Sequence, residues 1–432
     1  MQPSTVRFPT TREAAWSQLQ EFLPRVPTYG QTRSAVQPGH AGVSRLSPAL
    51  AARLITEDEI LTETLARFPA AQAEKWLQEV FWRRYWKGWL EQHPGVWALY
   101  RRRVGWLREN IGSAVLARAE AVVAGRSGVA LMDRFARELV ATGYLHNHAR
   151  MWWASFWVHV EKLPWELGAD FFLRHLLDAD AASNTLSWRW VAGLQTRNKT
   201  YLVRRSNLER HCAPEWLADP TGLDRLGDDA VKAVLPEFPQ PPEDEPEAID
   251  WGAEERGANK TERFASHPSK PPELESRCGL WIHPEDATPE LGNLETIRPV
   301  SVLAGSVAGG SEAQSAYRQA VLSDALRRAE GRYGIPGLLA TDGTLPHRLA
   351  EWARANQLAT VCAMAPAVGP IADELPAIRA GLKEAGVELL LLRRHTDFEL
   401  WPHARAGFFP FWDSAQLWIK AKQKRGELPK GG

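Results

Sequence analysis

Two short stretches concentrate side chains that ordinary packing does not call for. Residues 144–158, "YLHNHARMWWASFWV", set His146, Asn147, Arg150 and Met151 beside Trp152, Trp153 and Trp157. Residues 178–190, "DADAASNTLSWRW", add Asp178, Asp180, Asn184, Trp188 and Trp190. Cores are built mostly from aliphatic side chains, and polar groups buried among them are costly unless partnered. Aromatic faces beside an amide, a guanidinium and two carboxylates suit a buried planar cofactor with a polar edge. Asp178 and Asp180 stand two residues apart around a turn, so both can face one ring edge; an ion-paired helix start is the alternative. Asn184 offers an amide that donates or accepts, and in isolation would read as a turn residue. A third stretch, "SRLSP" (44–48), suggests an anion site: Ser44, Ser47 and the turn at a helix start could take a pyrophosphate, with Arg45 pairing nearby. Its plainer reading is a serine N-cap followed by proline in the first turn.

The elements that must position these groups change character along the chain. Residues 11–235 repeat apolar side chains at three- and four-residue steps, as in 57–90 and 130–145, and predict helices. Residues 236–275 are rich in Pro and Glu and predict a linker. Residues 276–432 alternate short apolar runs (280–283, 300–305, 337–340, 359–364 and 387–392) with helices at 312–333, 345–356 and 371–385. That alternation predicts a parallel sheet in a Rossmann-like α/β domain. "AGSVAGGSE" (304–312) lacks the spacing of a phosphate-binding loop and reads as an ordinary strand-to-helix turn. The expected class is therefore α plus α/β, with domains 1–235 and 276–432 joined by 236–275.

Composition narrows the partners. The chain of 432 residues has no formal net charge, 52 basic against 52 acidic side chains. Residues 1–235 hold 30 Lys and Arg against 24 Asp and Glu, whereas 236–275 hold 4 against 11, so a polyanion partner suits the first part alone. Cys212, Cys278 and Cys362 are widely separated, which argues against a metal site built on local cysteines and suits a reducing, cytoplasmic setting. No apolar run is long enough to span a bilayer and no membrane partner is expected. Of the 20 tryptophans, 12 lie from Trp76 to Trp190.

Together the motifs resemble the photolyase/cryptochrome family. "GYLHNHARM" (143–151) and "LLDADAASNTLSWRWVAG" (176–193) resemble two of its FAD-domain signatures, "SRLSP" its phosphate-binding turn, and "EVFWRRYW" (79–86) its "ELxWREFY" helix. The resemblance implies an all-helical FAD-binding domain in which Tyr29, Ser44, Arg45, Leu46, Ser47, Trp76, Arg83, Asn147, Arg150, Asp178, Asp180 and Asn184 hold FAD. In the family, Asp178's counterpart pairs with the near arginine, Asp180's accepts from the ring side, and Asn184's faces N5. Trp188 and Trp165 match the two inner members of the family's electron-transfer chain. Val122 stands where the outer member is expected, so Trp106, Trp152, Trp153 or Trp157 would have to substitute.

The resemblance also implies a lesion pocket. Glu79, Trp82, Asn147, Met151 and Trp190 are all of the cyclobutane-dimer repair type, with damaged DNA as the partner. His148 takes the place of a usual Arg, and 199–211 departs from the family's DNA-holding segment, with Arg204, Arg205 and Arg210 as possible replacements. A blue-light photoreceptor signalling to a protein or DNA is therefore the alternative. The family's α/β antenna domain normally comes first; "LWIHPEDATPE" (280–290) and "FFPFW" (408–412) resemble parts of it and suggest a circular permutation. An antenna chromophore is left unidentified, with Arg393 and Arg394 either touching it or solvated.

Overall fold

The structure, a computed structural model, describes residues 8–196, 199–239, 267–270, 277–292, 294 and 296–430. Most of the segment 236–275 lies outside the described residues. The first half is helical because its helices carry their own start and stop signals. Thr11 caps Arg12–Phe22 by accepting from the Ala14 N–H at 3.1 Å. Glu57–Arg67 opens on a Thr56–Glu59 capping box with an acidic first turn against the positive end of the helix dipole. Ala130–Thr142 stops on Gly143, whose φ of 67° is ordinary for glycine. Among the described residues of this half, the only β pairing is the isolated bridge Val36–Cys212.

The second half forms a five-stranded parallel sheet: β1 (Cys278–Ile282), β2 (Ser301–Gly305), β3 (Gly337–Ala340), β4 (Thr360–Met364) and β5 (Glu388–Leu392), in the order β3-β2-β1-β4-β5. β1, β2 and β4 are buried at every residue, which is why their sequences read as unbroken apolar runs. The helices Glu312–Tyr333 and Leu345–Ala355 fall where expected, but the third is split into Pro370–Asp373 and Leu375–Glu384. Pro376 explains the split, since it has no N–H to bond the Ala372 carbonyl four residues back. The 304–312 segment is a turn: Ser311 caps the next helix and donates its N–H to the Arg174 carbonyl at 2.7 Å.

The two halves share one core. Leu54, Phe81 and Tyr85 from the first half pack in the same apolar cluster as Ile282, Phe411 and Trp412 from the second. The Glu74–Gln92 helix lies between them and is buried on several sides. It must pass close to Trp401: a Cβ on Gly88 would sit 2.9 Å from that ring. An ionic network crosses the same seam. Buried Arg53 pairs with Asp286 at 3.1 Å and with Asp397, and lies 3.6 Å from Glu57. Arg84 bridges Asp58 (2.9 Å) and Asp397 (3.3 Å). Arg394 takes Asp286 at 2.6 Å, and Arg393 takes Glu91 at 3.0 Å. Both arginines are therefore buried partners of carboxylates rather than solvated groups. At the carboxyl ends of β1 and β4, where the strand order reverses and α/β folds place ligands, the helical half fills the crevice. Lys87 and 177–181 meet Glu285 and Val368 there and leave only about 50 Å³.

Candidate functional site

Four segments of the helical half enclose a cavity of about 550 Å³, within the range of small-molecule sites. Helical spacing explains how distant sequence positions converge. Glu74–Gln92 presents Trp76, Glu79 and Arg83, with Trp82 beside them; Ala181–Val191 presents Asn184 and Trp188, with Trp190 beside them. Asn147–Ser155 contributes Asn147, Arg150 and Met151, and the turn before Ser47–Ala51 contributes Ser44, Arg45, Leu46 and Ser47. Tyr29, Asp178 and Asp180 complete the set, so every expected cofactor-site and lesion-site residue lines one cavity.

The two cavity aspartates are partnered. Asp178 pairs with Arg150 at 2.9 Å. Asp180 takes Arg83 at 2.9 Å and Lys87 at 3.2 Å, and caps its helix by accepting from the Ser183 N–H at 2.7 Å. It is thus an ion-paired helix start and a cavity wall at once. Burial would push the Asp180 carboxyl up, but Lys87, Arg83 and the Ser183 amide outweigh it and hold it well below the usual carboxylate range. Asn184 donates its amide N–H to the Ala169 carbonyl at 2.8 Å, which leaves its Oδ1 as the acceptor toward the cavity. At the turn, Leu46 rather than a serine is the N-cap, and no side chain caps the helix. The Ser47 hydroxyl is buried without a protein partner, and Arg45 adopts φ 56°. The serine-cap reading of "SRLSP" is therefore replaced by a turn whose Ser47 hydroxyl the helix does not use.

The five expected lesion residues are all at least partly exposed. Glu79 is ion-paired with Arg33, a cavity residue the motifs had not marked. Arg33 lies four residues after Tyr29 at the end of the same helical turn, and that spacing is the signal that could have marked it. Burial raises the Glu79 carboxyl even though Arg33 and Lys75 oppose it. Trp82 stacks face to face on Phe408 from the second half, centroids 3.8 Å apart and planes at 8°. Trp190 stacks on Tyr201 at 5.5 Å, and Asn147 points its amide at the Met151 sulfur, 3.9 Å away.

Other expected residues are placed elsewhere. Trp165 is off the cavity and stacks on Tyr100 at 5.6 Å, while Val122 is buried in the helical core. Of the substitutes considered, Trp153 meets Trp188 at 6.2 Å and stacks on Trp157 at 5.3 Å, whereas Trp152 turns to Phe135 and His148. Gly168 allows this crowding, since a Cβ there would lie 2.4 Å from Trp188. Arg204 donates to the Asp228 and Val231 carbonyls and Arg205 pairs with Glu209, so both are engaged within the chain; Arg210 is exposed. Among the described residues no His, Cys, Asp or Glu cluster suited to a metal occurs, and no helix is long and apolar enough to cross a membrane.

His148 faces His211 and Trp152, and His146 lies between it and His40. Burial and the neighbouring imidazoles push His146 down to about 3 and His148 down to about 4. The unfolded chain, with its histidines near 6.5, therefore binds more protons than the folded one between about pH 6.5 and 4. Stability should fall as pH drops through that window, and His146→Asn should flatten the dependence of Tm on pH. A wild-type Tm that stays level down to pH 4 would mean that these rings are not held neutral.

Residues 76–215 match the family described as the FAD binding domain of DNA photolyase. The chain is 31% identical over 202 residues to the deoxyribodipyrimidine photo-lyase of Escherichia coli, covering 46% of this chain and 42% of that protein. It is 34% identical over 120 residues to Cryptochrome-1 of Arabidopsis thaliana, covering 28% of this chain and 16% of that one. The solved class III photolyase of Agrobacterium tumefaciens aligns at 25% identity and a TM-score of 0.39, over 46% of this chain and 42% of that one. The chain spans less than half the length of the first curated relative it matches. The cavity's residues fit FAD: an unused buried hydroxyl at a positively placed turn, an inward amide oxygen, and a buried Trp188 N–H without a protein partner.

Proposed function

We propose that this chain, whose residues 76–215 match the FAD binding domain of DNA photolyase, is a flavoprotein of the photolyase/cryptochrome family that repairs cyclobutane pyrimidine dimers in DNA under blue light. The observation that supports this best is that the FAD-type residues and the five repair-type residues line one and the same cavity. Bound there, reduced FAD would supply the light absorption and the electron. Ser44, Arg45, Leu46 and Ser47 would hold its pyrophosphate, with Tyr29 on the ribose side and Trp76 along the cavity wall. Asp178, Asp180, Arg83 and Arg150 would hold the ring edges, and the Asn184 oxygen would accept from a ring N–H. Trp82 and Trp190 would carry the flipped-out bases on their faces, each ring backed by another aromatic. Glu79, Asn147 and Met151 would meet the base edges.

The second half would be the family's α/β antenna-type domain moved to the carboxyl side, a circular permutation. Its parallel sheet supports that reading, as does the docking of the Phe408–Lys424 helix on Glu74–Gln92. The 50 Å³ left in the strand-end crevice has no space for an antenna chromophore at that point. The photoreceptor reading is favoured by one observation, that Arg204 is engaged by the Asp228 and Val231 carbonyls within the chain.

Blue light on the FAD-loaded, reduced protein with a thymine-dimer oligonucleotide should restore the thymines, and darkness should not. Glu79→Ala should lower repair per absorbed photon about fivefold, the worth of one hydrogen bond of about 1 kcal/mol, while flavin photoreduction persists. No repair with photoreducible FAD bound would leave the photoreceptor.

A further inference from the structure

The Arg33–Glu79 pair has no structural duty that requires it. It spans no seam between the two halves; both side chains line the cavity and are 38% and 30% exposed. An ion pair so exposed contributes little stability. Arg33's guanidinium has no other hydrogen bond among the described residues, so a competing anion from solvent can take it whole. Arginine binds phosphate through two parallel N–H groups, a fit better than its hold on a single carboxylate oxygen.

Departure of Arg33 would remove the chief group that holds the Glu79 carboxyl down against burial. The charged or titratable groups facing it are Arg33 and Tyr29 from the first segment and Lys75 from its own helix. Lys75 is committed to the Gln78 side chain at 3.1 Å. On the far side, His148 and His146 are held neutral and supply no positive charge. Burial already favours the protonated carboxyl, and the guanidinium is the chief opposing influence. A neutral Glu79 gains an O–H that can donate to a base carbonyl, which a carboxylate cannot do.

We propose that Arg33 switches partner when DNA binds: a backbone phosphate draws it off Glu79, and the released Glu79 carboxylate takes one proton from solvent and becomes a hydrogen-bond donor to the base in the cavity. This rests on the repair reading above. The exchange is balanced, with one ion pair lost, one guanidinium–phosphate pair formed, and one proton moved from water to a carboxylate oxygen. Arg33 acts as a positioning residue that keeps Glu79 charged until the substrate arrives.

The test is calorimetric titration of the FAD-loaded protein with a thymine-dimer oligonucleotide, in buffers of differing ionisation enthalpy. The wild type should take up about one proton per complex, so its dimer affinity should rise as pH falls. Arg33→Gln should abolish the uptake, because the cation whose departure couples proton binding to DNA binding is gone, and should lower the slope of log affinity against log salt by about 1. Arg33→Lys should restore part of both, and Glu79→Gln should abolish the uptake while leaving the salt slope. Flavin absorbance confirms that each variant is folded and loaded. Binding with repair but without proton uptake, or uptake that survives Arg33→Gln, overturns the switch and leaves the repair reading intact. Absence of dimer binding in the wild type overturns both.

Discussion

Asp180→Asn should yield a chain that loses most of its flavin and about 3–5 kcal/mol of stability, the usual consequence of stripping one partner from a buried ion pair. The wild-type carboxylate neutralises Arg83 and Lys87 together, and its other oxygen starts the Ala181–Val191 helix. The amide keeps the shape and one acceptor but leaves two cations against Glu57 alone, which lies 3.3 Å from Arg83. The ratio of flavin to protein absorbance after purification reads the first effect, and the denaturant midpoint reads the second. Asp178→Asn is the comparison: its partner Arg150 is partly exposed, so the loss should be smaller. Equal behaviour of the two variants would mean that the Asp180 cluster is not the anchor of the cavity wall.

The seam between the halves carries the other large expectation. Arg53→Met should cost about 3–5 kcal/mol, because Asp286, Asp397 and Glu57 would lose a shared counter-charge where water cannot replace it. Arg348→Met, which removes an exposed pair with Glu351, should cost under about 1 kcal/mol. Chemical denaturation of the two variants decides this, and equal shifts would show that the seam is held by its apolar contacts alone. The same network has a pH signature. Burial would raise Asp286 and Asp397, but Arg394 and Arg53 hold the first below the usual range, and Arg53 and Arg84 hold the second. A depressed folded pKa gives stability that is complete above the unfolded value of about 3.9 and lost as pH falls below it. The variant lacking Arg53 should therefore be less sensitive to that last step of acidification.

Much of this was legible in the sequence because helices convert spacing into direction. Asn147, Arg150 and Met151, or Asn184 and Trp188, stand three and four residues apart and so had to share a face. The five strands were legible because strands buried on both faces are unbroken apolar runs. The break at Pro376 was also written in the chain, though periodicity alone ran through it. What was not legible depends on pairs brought together by tertiary packing. Arg393 and Arg394 carried no mark of the carboxylates that bury them, since Glu91 and Asp286 come from other segments. Phe408 gave no hint that it would lie under Trp82. His148 stood beside Asn147 in sequence, yet consecutive helical residues point apart, and its ring went to His211 instead.

The contact of Trp82 with Phe408 makes the two halves of the chain a single inheritance. One face of that indole belongs to the cavity and the other to a helix of the α/β half, so the angle at which a guest would meet the tryptophan is set from both. A substitution in the Phe408–Lys424 helix is in effect a substitution in the cavity wall. The α/β half cannot be exchanged for a relative's as a detachable module, nor the helical half borrowed without it, unless both sides of that stack travel together.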